Sequence, residues 1–194
     1  MNELTTVLAR AGLLTPEQRE HWKMAWLSTV DHKRIGILYM VTARVFFVVG
    51  GIEALFIRLQ LAVPNNNFLH PDTYNMLFTM HGTTMIFLVA MPVLFGLANY
   101  FVPLQIGARD MAFPRLNALS LWLIVAMVPI LLSAALLGGI PTGWSGYAPL
   151  SDQAPPGMDA YLMAIIIFAI SSALAGANIT TTILTMRARG MHGN

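Results

Sequence analysis

Phe78-Thr79-Met80-His81-Gly82-Thr83-Thr84-Met85-Ile86-Phe87-Leu88-Val89-Ala90-Met91-Pro92 is the stretch that decides how this chain folds. It sets one imidazole, with a glycine beside it, in the first third of a segment long enough to cross a membrane. An ionisable group at that depth is costly and marks a functional site by default. The bland alternative is a lone histidine hydrogen-bonded to a neighbouring helix. What His81 holds, and what faces it, governs the rest.

Composition points the same way. Hydrophobic residues make up 56% of the 194 and charged residues 10%, with mean hydropathy +0.64. Soluble domains carry roughly 25% charged residues, so the chain is of the membrane class. A formal charge of +2 without a basic cluster gives no case for nucleic acid. The absence of cysteine excludes disulfides, thiolate metal sites and cysteine nucleophiles. The first 30 residues lack the basic start and apolar core of a signal peptide, so insertion is expected to rest on the spans themselves.

Four apolar runs, over residues 35–63, 74–102, 116–140 and 160–186, are long enough to span. The expected fold is therefore all-α and polytopic, with four transmembrane helices and a short interfacial helix before them. Thr15-Pro16-Glu17-Gln18 reads as a capping box opening that first helix, which carries Trp22, Met24, Trp26 and Leu27 beside Arg19, His21 and Lys23. Residues 1–34 form a cytoplasmic segment and residues 35–194 the four-helix membrane part in this reading. Arg10, Arg19, Lys23, Lys33 and Arg34 precede the first run, Arg109 and Arg115 follow the second, and Arg187 and Arg189 follow the fourth. The loops at 64–73 and 141–159 contain neither Lys nor Arg, which places both termini in the cytoplasm. Trp122, Trp144 and Tyr147 suit interface anchors. The runs also carry Arg44, Glu53, Arg58, His81, Asn99, Asn117, Ser171, Ser172 and Asn178, a load that lipid-facing helices seldom tolerate.

The flanks of His81 narrow the field. Met80-His81-Gly82-Thr83-Thr84-Met85-Ile86-Phe87, followed by Asn99-Tyr100-Phe101-Val102-Pro103-Leu104-Gln105-Ile106-Gly107-Ala108-Arg109-Asp110-Met111-Ala112-Phe113-Pro114-Arg115-Leu116-Asn117, resembles subunit I of the haem–copper oxygen reductases, of the cytochrome c oxidase type. So do Ser28-Thr29-Val30-Asp31-His32-Lys33, Gly143-Trp144 with Pro149-Leu150-Ser151, and Met186-Arg187-Ala188. The resemblance implies that His81 is one axial ligand of a low-spin haem, of the a type, with Gly82 leaving room for the macrocycle. Neutral imidazole is a standard haem ligand. By the same resemblance Arg58 hydrogen-bonds a haem substituent and Trp144 packs near the propionates; as bare residues they would be a snorkelling arginine and an interface aromatic. Asp110, which alone would be a solvated acid beside Arg109, matches the mouth of a proton-uptake channel. Asn99, Asn117 and Ser171 or Ser172 are its expected water-ordering groups.

The resemblance further implies a bacterial inner membrane, rather than a mitochondrial one, and partner oxidase subunits. It implies electron transfer from cytochrome c to oxygen coupled to proton uptake and pumping. Quinol-oxidising relatives place an arginine, an acid, a histidine and a glutamine where this chain has Val49, Glu53, Thr73 and Met76. Only the acid survives, which favours cytochrome c as donor. The family's cation-site acid at the end of helix one is Gln60 here, Arg44 replaces an apolar or small residue, and Arg189 replaces a proline. The second haem ligand, the high-spin haem ligand and the copper histidines belong to later helices, so the high-spin haem and copper are expected in the complete subunit but not on this chain. A fragment, one piece of a divided subunit and a truncated inactive paralogue all fit. Two rivals in function stand beside this reading: a quinol oxidase or nitric oxide reductase relative, the latter opposed by Asp110, Asn99 and Asn117, and a haem-free four-helix assembly partner or solute channel.

Overall fold

The computed structural model describes residues 24–191, so the capping box and most of the interfacial helix lie outside the described residues. Residues 24–27 form one helical turn, and Asp31 then opens helix α1, His32–Gln60. Its carboxylate accepts the Lys33 and Arg34 amides at 2.9 and 3.0 Å. That satisfies two of the free N–H groups at the helix start and sets an anion at its positive end. The cap is why α1 begins three residues before the apolar run. At its far end the Gln60 side chain ties down the following loop, donating to the Asn66 carbonyl at 2.6 Å and accepting the Leu69 amide at 2.7 Å. A carboxylate at this position could not make the first of these bonds.

Helix α2, Pro71–Ile106, is 36 residues long and exceeds the apolar run at both ends. Proline at its first position and Gly107 at φ +70° after its last turn set those limits. Just beyond His81 the helix widens into a π-helical segment, Thr84–Ala90. Pro92 follows directly; it has no N–H and its ring crowds the preceding turn, and a widened turn upstream relieves both. Helices α3, Pro114–Leu136, and α4, Gly157–Thr185, complete the described elements, all of which are helical. Four helices are thus long and apolar enough to span a membrane.

The helices pack as two antiparallel pairs, α1 on α2 and α3 on α4, joined by α1 against α3 and α2 against α4. Lipid tails are as apolar as leucine, so association rests on close packing and interhelical hydrogen bonds. Gly36 and Gly96 let the first pair touch: a Cβ on Gly36 would lie 2.9 Å from the Gly96 carbonyl. Gly157 does the same for the second pair, seated against the Ala134 and Gly139 backbones. Ile35, Tyr39, Leu88, Leu121, Ile124, Met127, Tyr161 and Ala164 fill the interior. Outward faces carry Phe47, Leu55, Ile166, Ile170 and Leu184, an exterior that suits lipid or further helices. The chain after α4 still turns without the proline expected at Arg189: the Ala188 amide bonds the Ile106 carbonyl at 2.9 Å and Gly190 adopts φ +91°.

Gly157→Ala should drive a methyl group into two backbones and cost about 1–3 kcal/mol. Gly176→Ala meets nothing within 4 Å. Thermal unfolding of the assembled protein should show a lower midpoint for the first and an unchanged or higher one for the second.

Candidate functional site

His81 is half-buried on α2, and its Nδ1 lies 3.0 Å from the Gly50 carbonyl of α1. A carbonyl oxygen only accepts, so Nδ1 carries the proton and Nε2 keeps its lone pair. Nε2 has no hydrogen-bond partner among the described residues. The lone-histidine reading is thus correct about one ring nitrogen and leaves the other available. Gly50 is buried against Thr84 and Met85, where a Cβ would strike the Met85 sulfur, so a side chain there would push the helices apart. Glu53, one turn along α1, directs its carboxylate toward the Thr84 hydroxyl and the His81 ring, with Oε2 buried and unpaired.

Trp144 comes to the same place from the α3–α4 loop. Its indole lies over Gly82, 3.4 Å from where a Cβ would stand, and meets Phe87 edge-on at 6.1 Å. The space beside Gly82 is therefore filled, at least in part, by tryptophan. Thr79 receives the Gly143 amide at 2.9 Å, and the Tyr161 hydroxyl donates to the Trp144 carbonyl, so the loop is stitched to α2 and α4 on both sides. Arg58 is not brought to this cluster. It is exposed, without a partner among the described residues, eight positions past Gly50 and so about 12 Å farther along α1.

A second constellation lies at the His32 end of the bundle. Asp110 is partly exposed in the α2–α3 loop, and its Oδ1 accepts the Met111 amide at 2.7 Å. The same oxygen faces Nδ1 of the buried His32 at 3.3 Å, so its ring partner is His32 and not the adjacent Arg109. Asn178 and Thr182 of α4 hold this loop: the Phe113 amide donates to Asn178 Oδ1 at 2.8 Å, and the Ala112 amide to Thr182 Oγ1 at 2.9 Å. Inward of the loop lie Asn99, Asn117, Ser120 and Ser171, none with any exposed surface. Ser120 spends its proton on the Asn117 carbonyl at 2.8 Å, so the Tyr39 hydroxyl, also at 2.8 Å, donates to Ser120. Ser171 donates to the Ser120 carbonyl at 2.6 Å. Asn99 Oδ1, both amide atoms of Asn117 and His32 Nε2 are buried and unpaired. Pro103 adds to this set by denying the Asn99 carbonyl its usual helical donor.

Buried amides are seldom left unpaired, and such a cluster is what ordered water would satisfy. Ser172 does not join it: it donates to the Ala169 carbonyl of its own helix at 2.9 Å and is turned outward. The choice left open between Ser171 and Ser172 therefore falls on Ser171. His32, Tyr39 and Ser120 were given no role from the sequence, and Asn178 and Thr182 stood there only as part of the polar load of the fourth run. A signal existed for His32 and Tyr39, since His32, Ile35, Tyr39 and Ala43 recur at helical spacing along the buried stripe of α1.

The donor chemistry around His81 fits a haem iron. A carbonyl-anchored, neutral imidazole is the form that ligates metal, and the anchor fixes ring orientation and tautomer. No group of three or more His, Cys, Asp or Glu side chains arranged for a metal ion occurs among the described residues.

The sequence profile described as Cytochrome C and Quinol oxidase polypeptide I matches residues 34–194. Cytochrome c oxidase subunit 1 of Bacillus subtilis (strain 168) is 52% identical over 179 residues, covering 90% of this chain and 29% of that protein. Its counterpart from Bacillus sp. (strain PS3) is 50% identical, covering 86% and 27%. Quinol oxidase subunit 1 of Bacillus subtilis (strain 168) is 46% identical over 191 residues, covering 96% and 29%. The chain spans under a third of the length of these relatives. Because the family match runs over residues 34–194, through all four long apolar helices, the chain belongs to the cytochrome c and quinol oxidase polypeptide I family, corresponding to the N-terminal part of a haem–copper oxidase subunit I.

Proposed function

We propose that this chain supplies the first four helices of an oxygen-reducing oxidase, contributing one axial ligand of the low-spin haem and the entrance half of a proton channel. The observation that carries this reading is the His81 Nδ1 contact with Gly50, which leaves Nε2 without a hydrogen-bond partner among the described residues. A low-spin haem, when bound, supplies one-electron transfer. Gly50 fixes the ring, Gly82 and Trp144 bound one side of the pocket, and Arg58 is assigned to a peripheral substituent because of its distance along α1. The haem is of the a type in this reading. The second axial ligand, the high-spin haem and copper are held by helices not contained in residues 1–194.

Asp110 forms the channel mouth, where its exposed oxygens collect protons from the cytoplasm. Asn99, Asn117, Ser120, Tyr39 and Ser171 then order water inward without holding charge themselves. Both termini lie on the cytoplasmic side of a bacterial cell (inner) membrane in this reading, since the loops at 64–73 and 141–159 lack Lys and Arg. Cytochrome c is the donor. Val49 and Met76 offer no strong hydrogen bond to a quinone head, and Met76 is packed on Gly139, where a Cβ would lie 2.9 Å from its sulfur. Of the four quinone-site positions Glu53 alone keeps the residue type that favours quinol, and the similarity to quinol oxidase subunits favours it too.

In the purified native complex, His81→Ala should abolish the low-spin haem absorption bands; bands of full intensity would refute the ligand assignment. Asp110→Asn should slow proton uptake at least tenfold in single-turnover measurements while leaving those bands intact. Ser171→Ala should slow uptake by a smaller factor and Ser172→Ala should not, measured in the same way.

A further inference from the structure

Two buried hydroxyls from different helices converge on the backbone around Trp144. Thr79 of α2 has no exposed surface and Tyr161 of α4 is 2% exposed. Burying a hydroxyl in an apolar interior is costly unless it is hydrogen-bonded. Thr79 Oγ1 donates to the Asn75 carbonyl of its own helix at 3.1 Å and accepts the Gly143 amide at 2.9 Å. The Tyr161 hydroxyl donates to the Trp144 carbonyl. The two loop bonds therefore bracket Trp144, one on the amide of the residue before it and one on its own carbonyl.

The side chain held in this way is itself 48% exposed, so the anchoring does not serve to bury it. It serves an orientation. Thr79 and Gly82 are three residues apart and share a face of α2, which is why a bond to Gly143 seats the indole of Trp144 over Gly82. His81 stands about 100° around the helix from Gly82, so the indole occupies the sector next to that of the imidazole. Phe87 meets the indole edge-on at 6.1 Å and is braced in turn by Phe168 of α4 at 4.9 Å.

We infer that Thr79 and Tyr161 are positioning residues: they fix the Trp144 indole beside Gly82 and thereby set one wall of the haem site. The inference rests on the reading of His81 as a haem ligand. Groups that orient the surroundings of a haem tune its electronic properties, so two hydroxyls that touch neither His81 nor the haem act on the haem through Trp144.

The low-spin haem bands of the purified native complex, together with hydrogen exchange of residues 142–145, test this. Thr79→Val and Tyr161→Phe each delete one hydroxyl and keep the size of the side chain. Each should speed exchange of that segment roughly threefold to tenfold, the factor that one lost hydrogen bond implies. Each should also shift the band maximum in the direction that Trp144→Phe shifts it. Thr79→Ser keeps the hydroxyl and should leave the maximum in place. Tyr161→Phe combined with Trp144→Phe should shift it no further than Trp144→Phe alone. Faster exchange with unmoved bands would show that the hydroxyls only secure the loop, and would overturn the inference; so would bands that Trp144→Phe does not move. If neither hydroxyl-deleting variant assembles, a structure of the wild-type complex decides. The indole packed against the bound haem, with both loop bonds in place, is expected; an indole out of reach of the haem overturns it. His81→Ala separates this inference from the reading beneath it: bands kept there refute the ligand assignment, whereas bands lost there with the shifts absent refute the positioning role alone.

Discussion

The contact between His81 Nδ1 and the Gly50 carbonyl is what the rest of the structure depends on. It makes a chemical decision, because an acceptor-only partner leaves a single tautomer with one free lone pair. It makes a structural decision too, since it fixes how closely α1 and α2 approach at the level where the π-helical segment begins. Gly50 has no side chain because Met85 and Thr84 occupy that space, and the ring of His81 reaches across in consequence. Glu53, Thr84 and Trp144 are then set around the ring by the helices and loop that this approach aligns.

The second constraint is the cost of unpaired polar groups in a membrane. Most polar groups at the His32 end are paired with backbone: Asn178 and Thr182 with the α2–α3 loop, Ser171 with Ser120, Ser120 with Asn117. The exceptions are concentrated in Asn99, Asn117 and the inner face of His32. A scatter of orphaned atoms would suggest poor packing. The place of these exceptions behind the loop that carries Asp110 is what motivates the proposed water path.

Much of this was legible in the sequence. Four long apolar runs gave four helices, because backbone crossing a membrane must satisfy its own hydrogen bonds. Met80-His81-Gly82 stood out because ionisable groups are rare within a span; Asp110, a loop acid, stood out only because its flanks match one family. The helix limits were less legible, being set by Asp31, Pro71 and Gly107, local caps that an apolar run does not reveal. Pairings were hidden altogether: nothing in the spacing joins His32 to Asp110, Tyr39 to Ser120 or Asn178 to Phe113, since each depends on which helices become neighbours. Ser171 and Ser172 are adjacent in sequence yet about 100° apart around a helix, so only packing separates them.

The central claim is that the free nitrogen of His81 is a metal ligand and its other nitrogen is held by Gly50. A high-resolution structure of the complete native complex tests it most directly. The account expects haem iron within bonding distance of His81 Nε2, with Nδ1 still on the Gly50 carbonyl. It is contradicted if Nε2 is hydrogen-bonded to another helix or lies open to lipid, with the iron bound elsewhere.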